Sequence, residues 1–145
     1  MQVSDILSQK GAAIHQIGPD ATVFDAISLM SEKNVGALLV MTGGRLQGII
    51  SERDYRNKVI LKGRMSKQTP VKTIMTRDVF CVTPEETLEN CMAIMTSKKI
   101  RHLPVMTKDT VVGVISIGDL VKAMIDKQQV EIKNLKHYIA GTYPA

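Results

Sequence analysis

The sequence predicts an α+β fold made of two copies of one small unit, packed sheet to sheet about a pseudo-twofold axis, with an extended C-terminal helix. Three observations support this. Shifted by 65 residues, 19–59 aligns with 84–124 without a gap, and 12 of the 41 positions are identical. The apolar spacing indicates strand, helix, strand, strand, helix in both copies. A further row of apolar residues at helical spacing follows the second copy.

Length and composition describe a globular protein. The 145 residues are 44% hydrophobic and 23% charged, and a chain of this length buries roughly two-thirds of its extended surface. The longest apolar run, 37–41, is far shorter than the ~18 residues of a membrane span, and the N-terminus lacks a signal-peptide pattern. Cys81 and Cys91 have no zinc-ligand spacing. We therefore expect a cytoplasmic protein with reduced thiols, no membrane segment and no metal requirement.

Each copy begins with a short related segment and a helix. Residues 3–8 match 71–76. Thr83 followed by Pro84 and two glutamates predicts a helix start with Thr83 as N-cap, and 18–21 is a weaker version of it. Helical spacing then follows in both copies, at Val23, Ile27 and Met30, and at Leu88, Cys91, Met92 and Met95.

A hairpin and a second helix complete each copy. The β-branched-rich runs 37–41 and 46–50 flank two glycines, and 103–106 and 111–115 flank Lys108 and Asp109, which predicts two hairpins. The second helices are expected to begin at Glu52 and Ile117. A unit this small cannot cover its own sheet, so the copies should pack on each other.

The net charge of +5 is concentrated between the copies. Residues 60–72 contain four basic residues, Lys62, Arg64, Lys67 and Lys72, and no acidic residue. They could form a solvated linker, lie near a bound polyanion, or contact nucleic acid. Nucleic acid is disfavoured, because nucleic-acid-binding proteins usually interleave aromatic residues with their basic ones.

We divide the chain into repeat 1 (1–59), a basic linker (60–72), repeat 2 (73–125) and a C-terminal helix and tail (126–145).

Both copies carry Gly-x-x-Ser-x-x-Asp where the last strand meets the last helix. Ser and Asp at this spacing form a helix capping box, which is the structural interpretation. The functional interpretation is a nucleotide site: a carboxylate accepts both hydroxyl protons of a ribose, a helix N-terminus suits a phosphate, and glycine allows close backbone approach. The two motifs are Gly48, Ser51 and Asp54, and Gly113, Ser116 and Asp119.

The motifs, the duplication and the element order resemble tandem cystathionine-β-synthase (CBS) domains, the Bateman module. The pre-strand segment 100–105 and the stretch 74–76 also match the family, and the similarity covers about residues 3–125. The resemblance implies a non-catalytic regulatory sensor that binds AMP, ADP, ATP, NAD(H) or S-adenosylmethionine in the cleft between the repeats, and a disc-like homodimer. No Walker A, Gly-x-Gly-x-x-Gly or nucleophile-elbow motif indicates an enzyme.

The two copies differ in sequence around the motifs, which suggests unequal ligand sites, and we favour the one at the second copy. There Asp119 would hold ribose, while Val82 and Thr83 would lie against adenine. Arg101 and His102 occupy positions where the family often contacts phosphate. The predicted second-copy site comprises Val82, Thr83, Arg101, His102, Pro104, Gly113, Ser116, Ile117 and Asp119.

The first copy contributes a weaker site of its own, and it also supplies cations for the second-copy site. Ser51 and Asp54 would form the weaker site. Arg53 and Arg56 are candidate phosphate partners for the second-copy site, reached across the cleft.

After Asp119 the helix is expected to continue as one apolar row with a polar Gln128 in it, and to end at Gly141 and Pro144. It could pack on its own module or join two chains across a twofold axis, and we favour the homodimer. The row comprises Val121, Ile125, Gln128, Ile132, Leu135 and Ile139.

The function we expect is a sensor that reports energy or redox state to an unknown regulated protein. Two alternatives stay open: a protein-interaction module in which the ligand is secondary, and nucleic-acid binding through the basic linker.

Overall fold

The computed structural model describes residues 1–139. Two copies of the predicted unit follow each other, with three 3₁₀ turns between them at Ile60–Lys62, Ser66–Gln68 and Val71–Thr73. The helices are α1 (Val3–Lys10), α2 (Val23–Lys33), α3 (Glu52–Lys58), α4 (Leu88–Lys98) and α5 (Ile117–Ile139). The strands are β1 (Gln16–Ile17), β2 (Ala37–Thr42), β3 (Arg45–Ser51), β4 (His102–Thr107) and β5 (Thr110–Ser116).

The two sheets repeat one pattern, which confirms the predicted α+β fold. In the first sheet, β1 pairs parallel with β2, and β2 pairs antiparallel with β3. In the second, β4 pairs antiparallel with β5, and a single parallel bridge from Val82 to Val105 takes the place of β1. A register shift after Val40 recurs after Val105. Strands β3 and β5 bring the two sheets into contact.

The predicted hairpins are confirmed, although their turns differ in sequence. Gly43 and Gly44 both have positive φ, 56° and 79°, which glycine adopts without a steric penalty. Lys108 adopts φ 55° at the equivalent turn of the second hairpin. The first turn residue therefore keeps its left-handed conformation without glycine, whereas Asp109, at the position of Gly44, does not have positive φ.

The predicted helix start at Thr83 is wrong. Residues 83–86 form a turn in which the Glu86 N–H donates to the Thr83 carbonyl at 3.1 Å. Helix α4 begins at Leu88, and its N-cap is Thr87, whose hydroxyl accepts from the Asn90 N–H at 3.2 Å. The helix gains its stability from a buried apolar face, and that face begins only at Leu88. Helix α2 likewise begins after Thr22, not at 18–21.

Each hydrophobic core is completed by the opening segment of the other copy. Val3 and Ile6 of α1 are buried in the core of the second sheet, together with Leu103 and Ile115. From the related segment, Val71, Ile74 and Met75 belong to the core of the first sheet. Main-chain hydrogen bonds fix both segments: the Val3 N–H donates to Glu86 at 2.9 Å, and the Val71 N–H donates to Ala21 at 2.8 Å.

The C-terminal part of the basic linker belongs to this packing. Thr69 and Val71 are buried, Lys72 forms an ion pair with Asp20 at 2.9 Å, and the Lys67 ammonium lies 4.7 Å from the centre of the Phe24 ring. A wholly solvated linker is therefore wrong for this part.

Helix α5 continues to Ile139 as predicted, and only its beginning is buried. Leu120 and Ala123 pack into the second core. The expected end at Gly141 and Pro144 lies outside the described residues. No helix within residues 1–139 is long and apolar enough to cross a membrane. The predicted apolar row is exposed at Val121, Ile125, Ile132 and Leu135.

Candidate functional site

Both Ser-x-x-Asp motifs form capping boxes. At α3, the Asp54 N–H donates to the Ser51 hydroxyl at 3.2 Å, and the Ser51 N–H donates to Asp54 Oδ2 at 3.0 Å. At α5, the corresponding distances for Ser116 and Asp119 are 3.2 and 2.8 Å. The structural interpretation is confirmed for both copies. Ligand binding stays a prediction, and it depends on how much hydrogen-bonding capacity each carboxylate has left.

The Asp54 carboxylate is engaged at both oxygens. Its Oδ2 also accepts from the Ser51 hydroxyl at 3.1 Å. Its Oδ1 receives the Lys58 ammonium at 2.9 Å, and Lys58 donates as well to the Ile74 carbonyl at 2.9 Å. A ribose at this carboxylate would have to compete with these donors.

The Asp119 carboxylate is engaged at one oxygen only. Its Oδ2 accepts from the Ser116 N–H and from the Lys10 ammonium, both at 2.8 Å. The Ser116 hydroxyl also interacts with this carboxylate, Oδ1 has no hydrogen bond within the described residues, and 23% of the side chain is exposed. Asp119 therefore keeps the acceptor capacity that Asp54 lacks.

The Lys10 contact also sets the charge of Asp119. Burial acts to raise the pKa of this carboxyl, but hydrogen bonds from Lys10 and Ser116 outweigh it, so the pKa lies below its ordinary value. The side chain is therefore ionised at neutral pH, which is the acceptor-only state that two hydroxyl groups require.

His102 lies opposite Ser116 at the start of β4. Burial lowers its pKa, the charge of Asp119 partly opposes this, and Lys10 and Arg101 lower the pKa further. The ring is therefore neutral at pH 7. A phosphate at the predicted position would meet a neutral imidazole donor and not a second cation.

The two motif glycines make room for protein segments. A Cβ at Gly48 would lie 2.7 Å from the Thr76 carbonyl oxygen and 2.9 Å from Met75 Sδ. A Cβ at Gly113 would lie 2.8 Å from a Leu7 methyl carbon. Gly113 thus lies against the opening segment of the first copy, and the predicted close approach of a ligand to these glycines stays a prediction.

Arg53 spans the two repeats, and Arg56 does not. Arg53 Nη2 donates to the carbonyl of Lys99, the residue that follows α4, at 2.6 Å. Arg56 donates to its neighbour Asn57 at 3.1 Å. Arg101 is exposed and lies close enough to His102 to act on its pKa. Arg53 and Arg101 are thus the cations that the structure places on the two sides of the interface between the repeats.

The predicted adenine residues differ in accessibility. Val82 is buried and its N–H donates to the Pro104 carbonyl at 3.0 Å, whereas Thr83 is exposed. Ile117 is half-buried, and its N–H donates to the Arg101 carbonyl at 2.9 Å. The main chain at Val82 therefore pairs with Pro104, and the main chain at Arg101 lies against the start of α5.

A groove of about 420 Å³ lies on the first-repeat side of this interface. Gly36 connects it to the predicted site, because a Cβ there would lie 3.4 Å from Cε1 of His102. The groove residues are Ile27, Met30, Ser31, Asn34, Val35, Gly36 and Glu52.

Sequence reasoning missed Lys10 and Lys58, which hold the two aspartates. Lys10 lies 109 residues from Asp119 in the chain, and the match between 3–8 and 71–76 ends before it. A repeat alignment alone contains no signal for this contact. Lys58 is four residues after Asp54, and this i,i+4 spacing was available as a signal.

Known proteins share this arrangement over nearly the whole chain. The mitochondrial CBS domain-containing protein CBSX3 of Arabidopsis thaliana is 41% identical over 150 residues, covering 97% of this chain and 73% of its own. A putative signal-transduction protein with CBS domains from Burkholderia ambifaria has 46% identity and a TM-score of 0.86, covering 88% of this chain and 96% of its own. A hexameric CBS-CP12 protein from bloom-forming cyanobacteria has 31% identity and a TM-score of 0.74, covering 83% and 70%.

The family model described as CBS domain matches the chain twice, at residues 3–60 and 71–126. These two matches coincide with the two structural copies and their capping-box motifs. The chain therefore belongs to the CBS domain family, as a tandem pair of the regulatory and signal-transduction kind.

Proposed function

We propose that the protein is a non-catalytic module that binds an adenosyl ligand, AMP, ADP, ATP or NAD(H), at Asp119, between the two repeats. The observation that carries this proposal is the unequal engagement of the two motif aspartates. Asp54 has donors on both oxygens, whereas Oδ1 of Asp119 has none within the described residues and its carboxylate is partly exposed. A ribose could bind there through charge-assisted hydrogen bonds.

The charges around Asp119 suit the phosphate part of such a ligand. Lys10 contacts the Asp119 carboxylate. Asp119, Lys10 and Arg101 all lie close enough to His102 to act on its pKa. Arg53 approaches from the first repeat. A phosphate chain has donors from both repeats, so the ligand would bridge them.

Signalling would follow from this bridging position. Arg53 joins the repeats in the described state through a single hydrogen bond to a main-chain carbonyl. If Arg53 binds the phosphate in place of the Lys99 carbonyl, this link between the repeats is lost, which would favour a different arrangement of the repeats. The ligand must bind one arrangement better than another for a regulated protein to detect the difference.

Homodimer formation through α5 is a second part of the proposal. Its apolar row is unusually exposed, with Ile132 at 52% and Leu135 at 59%, and such rows usually mark an interaction surface. The same surface supports the alternative function, a protein-interaction module in which the ligand is secondary.

The basic linker gives less support to nucleic-acid binding. Lys72 is paired with Asp20 and Lys67 lies over Phe24, so two of the four cations are already engaged.

The free thiols of Cys81 and Cys91 suit a reducing compartment, which we take to be the cytoplasm or, as named for the Arabidopsis relative, the mitochondrion.

The test is isothermal titration of the full chain with AMP, ADP, ATP, NAD⁺, NADH and S-adenosylmethionine. We expect micromolar binding of at least one of them. Asp119→Asn should weaken it by about tenfold or more, because a charged acceptor is replaced by a neutral amide.

Asp54→Asn is the matched control, since it removes the same charge from the equivalent motif, and it should have the smaller effect. Silence from all six ligands on folded protein would contradict the proposed function and favour the interaction module. An equal loss in the two variants would contradict the choice of Asp119.

A further inference from the structure

The helix that opens the chain ends at the predicted ligand site of the other repeat. Helix α1 packs on β5 and α5, and its last residue, Lys10, lies 2.8 Å from both Asp119 Oδ2 and the Val114 carbonyl oxygen. The Lys10 side chain is about one-third exposed. Two of its three N–H donors are thus fixed by protein oxygens.

This contact fixes the plane of the Asp119 carboxylate and leaves one of its two oxygens without a protein donor within the described residues. The Ser116 N–H and the Lys10 ammonium both approach Oδ2. With two donors on one oxygen, rotation of the carboxylate about its Cβ–Cγ bond would break both hydrogen bonds. Oδ1 is therefore held in place with its lone pairs available.

We propose that Lys10 is a positioning residue of the ligand site: by holding Oδ2 of Asp119 it presents Oδ1 to the two vicinal hydroxyls of a ribose. This inference rests on the proposed function, because it requires a ribose-bearing ligand at Asp119. It adds to that function a residue from outside the family motif, supplied by the exchanged segment.

The electrostatic surroundings agree with this role. The groups that act on Asp119 or on its neighbour His102 come from three parts of the fold: Lys10 from α1, Ser116 at the end of β5, and Arg101 with His102 at the start of β4. His102 is neutral at pH 7. Without Lys10, the burial of Asp119 would be opposed mainly by Ser116, and the pKa of the carboxyl would rise.

The first repeat provides a matched contact for comparison. Lys58 also bridges an aspartate and a main-chain carbonyl, those of Asp54 and Ile74, both at 2.9 Å. It is similarly exposed, but it occupies Oδ1 while Ser51 occupies Oδ2. Lys58 therefore occupies the second oxygen of the Asp54 carboxylate, whereas Lys10 leaves one oxygen of the Asp119 carboxylate available as an acceptor.

The experiment compares AMP with 2′,3′-dideoxy-AMP, which lacks both hydroxyls, in the wild type and in Lys10→Met, Lys10→Arg and Lys58→Met. We expect the wild type to favour AMP by about tenfold or more, as hydrogen bonds to a charged group imply. Lys10→Met should reduce this preference to about twofold to threefold. Lys10→Arg should restore most of it, and Lys58→Met should not reduce it, because Lys58 contacts Asp54 and not Asp119.

The pH dependence is a second measurement on the same proteins. AMP binding requires ionised Asp119 and is lost as the pH falls through the pKa of this group. In Lys10→Met that loss should begin at a higher pH than in the wild type. Dideoxy-AMP binding should not show the shift.

Each other outcome has a definite meaning. Unchanged preference for AMP in Lys10→Met, or equal weakening of both ligands, would overturn the positioning role and leave ligand binding intact. Equal affinity of the wild type for AMP and its dideoxy analogue would place the hydroxyls away from Asp119 and overturn the inference. If the wild type binds no adenosyl ligand at all, the proposed function itself fails, and this inference with it.

Discussion

The two motif glycines show how a single residue can serve packing in a motif that suggests ligand binding. Gly48 and Gly113 are equivalent in sequence, and each lies against the opening segment that the other copy supplies. The atoms that an added Cβ would meet at the two glycines differ in how easily they can move. Gly48 faces a main-chain oxygen, whereas Gly113 faces the flexible end of the Leu7 side chain.

Alanine at these glycines should therefore have unequal effects on stability. Gly48→Ala should lower the free energy of unfolding by about 1–3 kcal/mol, because main chain has to move to relieve the overlap. Gly113→Ala should change it by less than about 1 kcal/mol, because Leu7 can adopt another rotamer. Urea unfolding of the two variants measures both values. Equal losses would show that the fixed carbonyl is not the cause of the cost.

His102 connects the site to the pH dependence of stability. Its folded-state pKa is lowered, mainly by burial, so the unfolded chain binds a proton more readily. The stabilising contribution of the neutral ring is complete above the unfolded pKa of about 6.5 and is lost as the pH falls from there toward the folded pKa.

The wild type should therefore lose more stability between pH 7.5 and pH 5 than His102→Gln does. Urea unfolding midpoints across this range provide the measurement, and His15→Gln controls for the loss of a histidine elsewhere. Identical pH profiles for the wild type and His102→Gln would contradict the assigned cause.

At the scale of elements, α5 has two parts with different environments. Its beginning contributes Leu120 and Ala123 to the second core, whereas Ile132 and Leu135 in its later turns are more than half exposed. The later part adds little apolar burial to the monomer. Its sequence pattern is better explained by contact with a second chain.

Replacing Ile132 and Leu135 together with serine should therefore lower the oligomeric mass and leave the monomer folded. Sedimentation velocity gives the mass, and circular dichroism gives the fold. Lys133→Ser is the control for a polar change on the same turns. A double variant that sediments as the wild type does, or a monomeric wild type, would contradict the proposed interface.

At the scale of the whole molecule, the sequence predicts the repeat unit and the packing of the two repeats, but not the exchange of opening segments between them. Both hairpins and the starts of α3 and α5 follow from local apolar patterns and turn residues, which act over a few positions. The start of α4 was placed too early, because a favourable N-cap at Thr83 does not outweigh the absence of an apolar face before Leu88.

The site shows the same division. The capping boxes at Ser51 and Ser116 are readable from spacing alone, since both partners are three residues apart. The role of Lys10 is not readable, because it depends on which sheet receives α1. Residues 3–8 and 71–76 are related in sequence, and their similarity does not say which sheet each of them packs on.

The exchange of opening segments also bears on how such a chain could have arisen. Neither half contains a complete core of its own: the first half donates Val3 and Ile6, and the second donates Val71 and Ile74. An ancestral chain with one repeat could have made the same exchange only with a second copy of itself. Gene duplication and fusion would then have converted that pairing between molecules into a covalent one, without any change in the contacts.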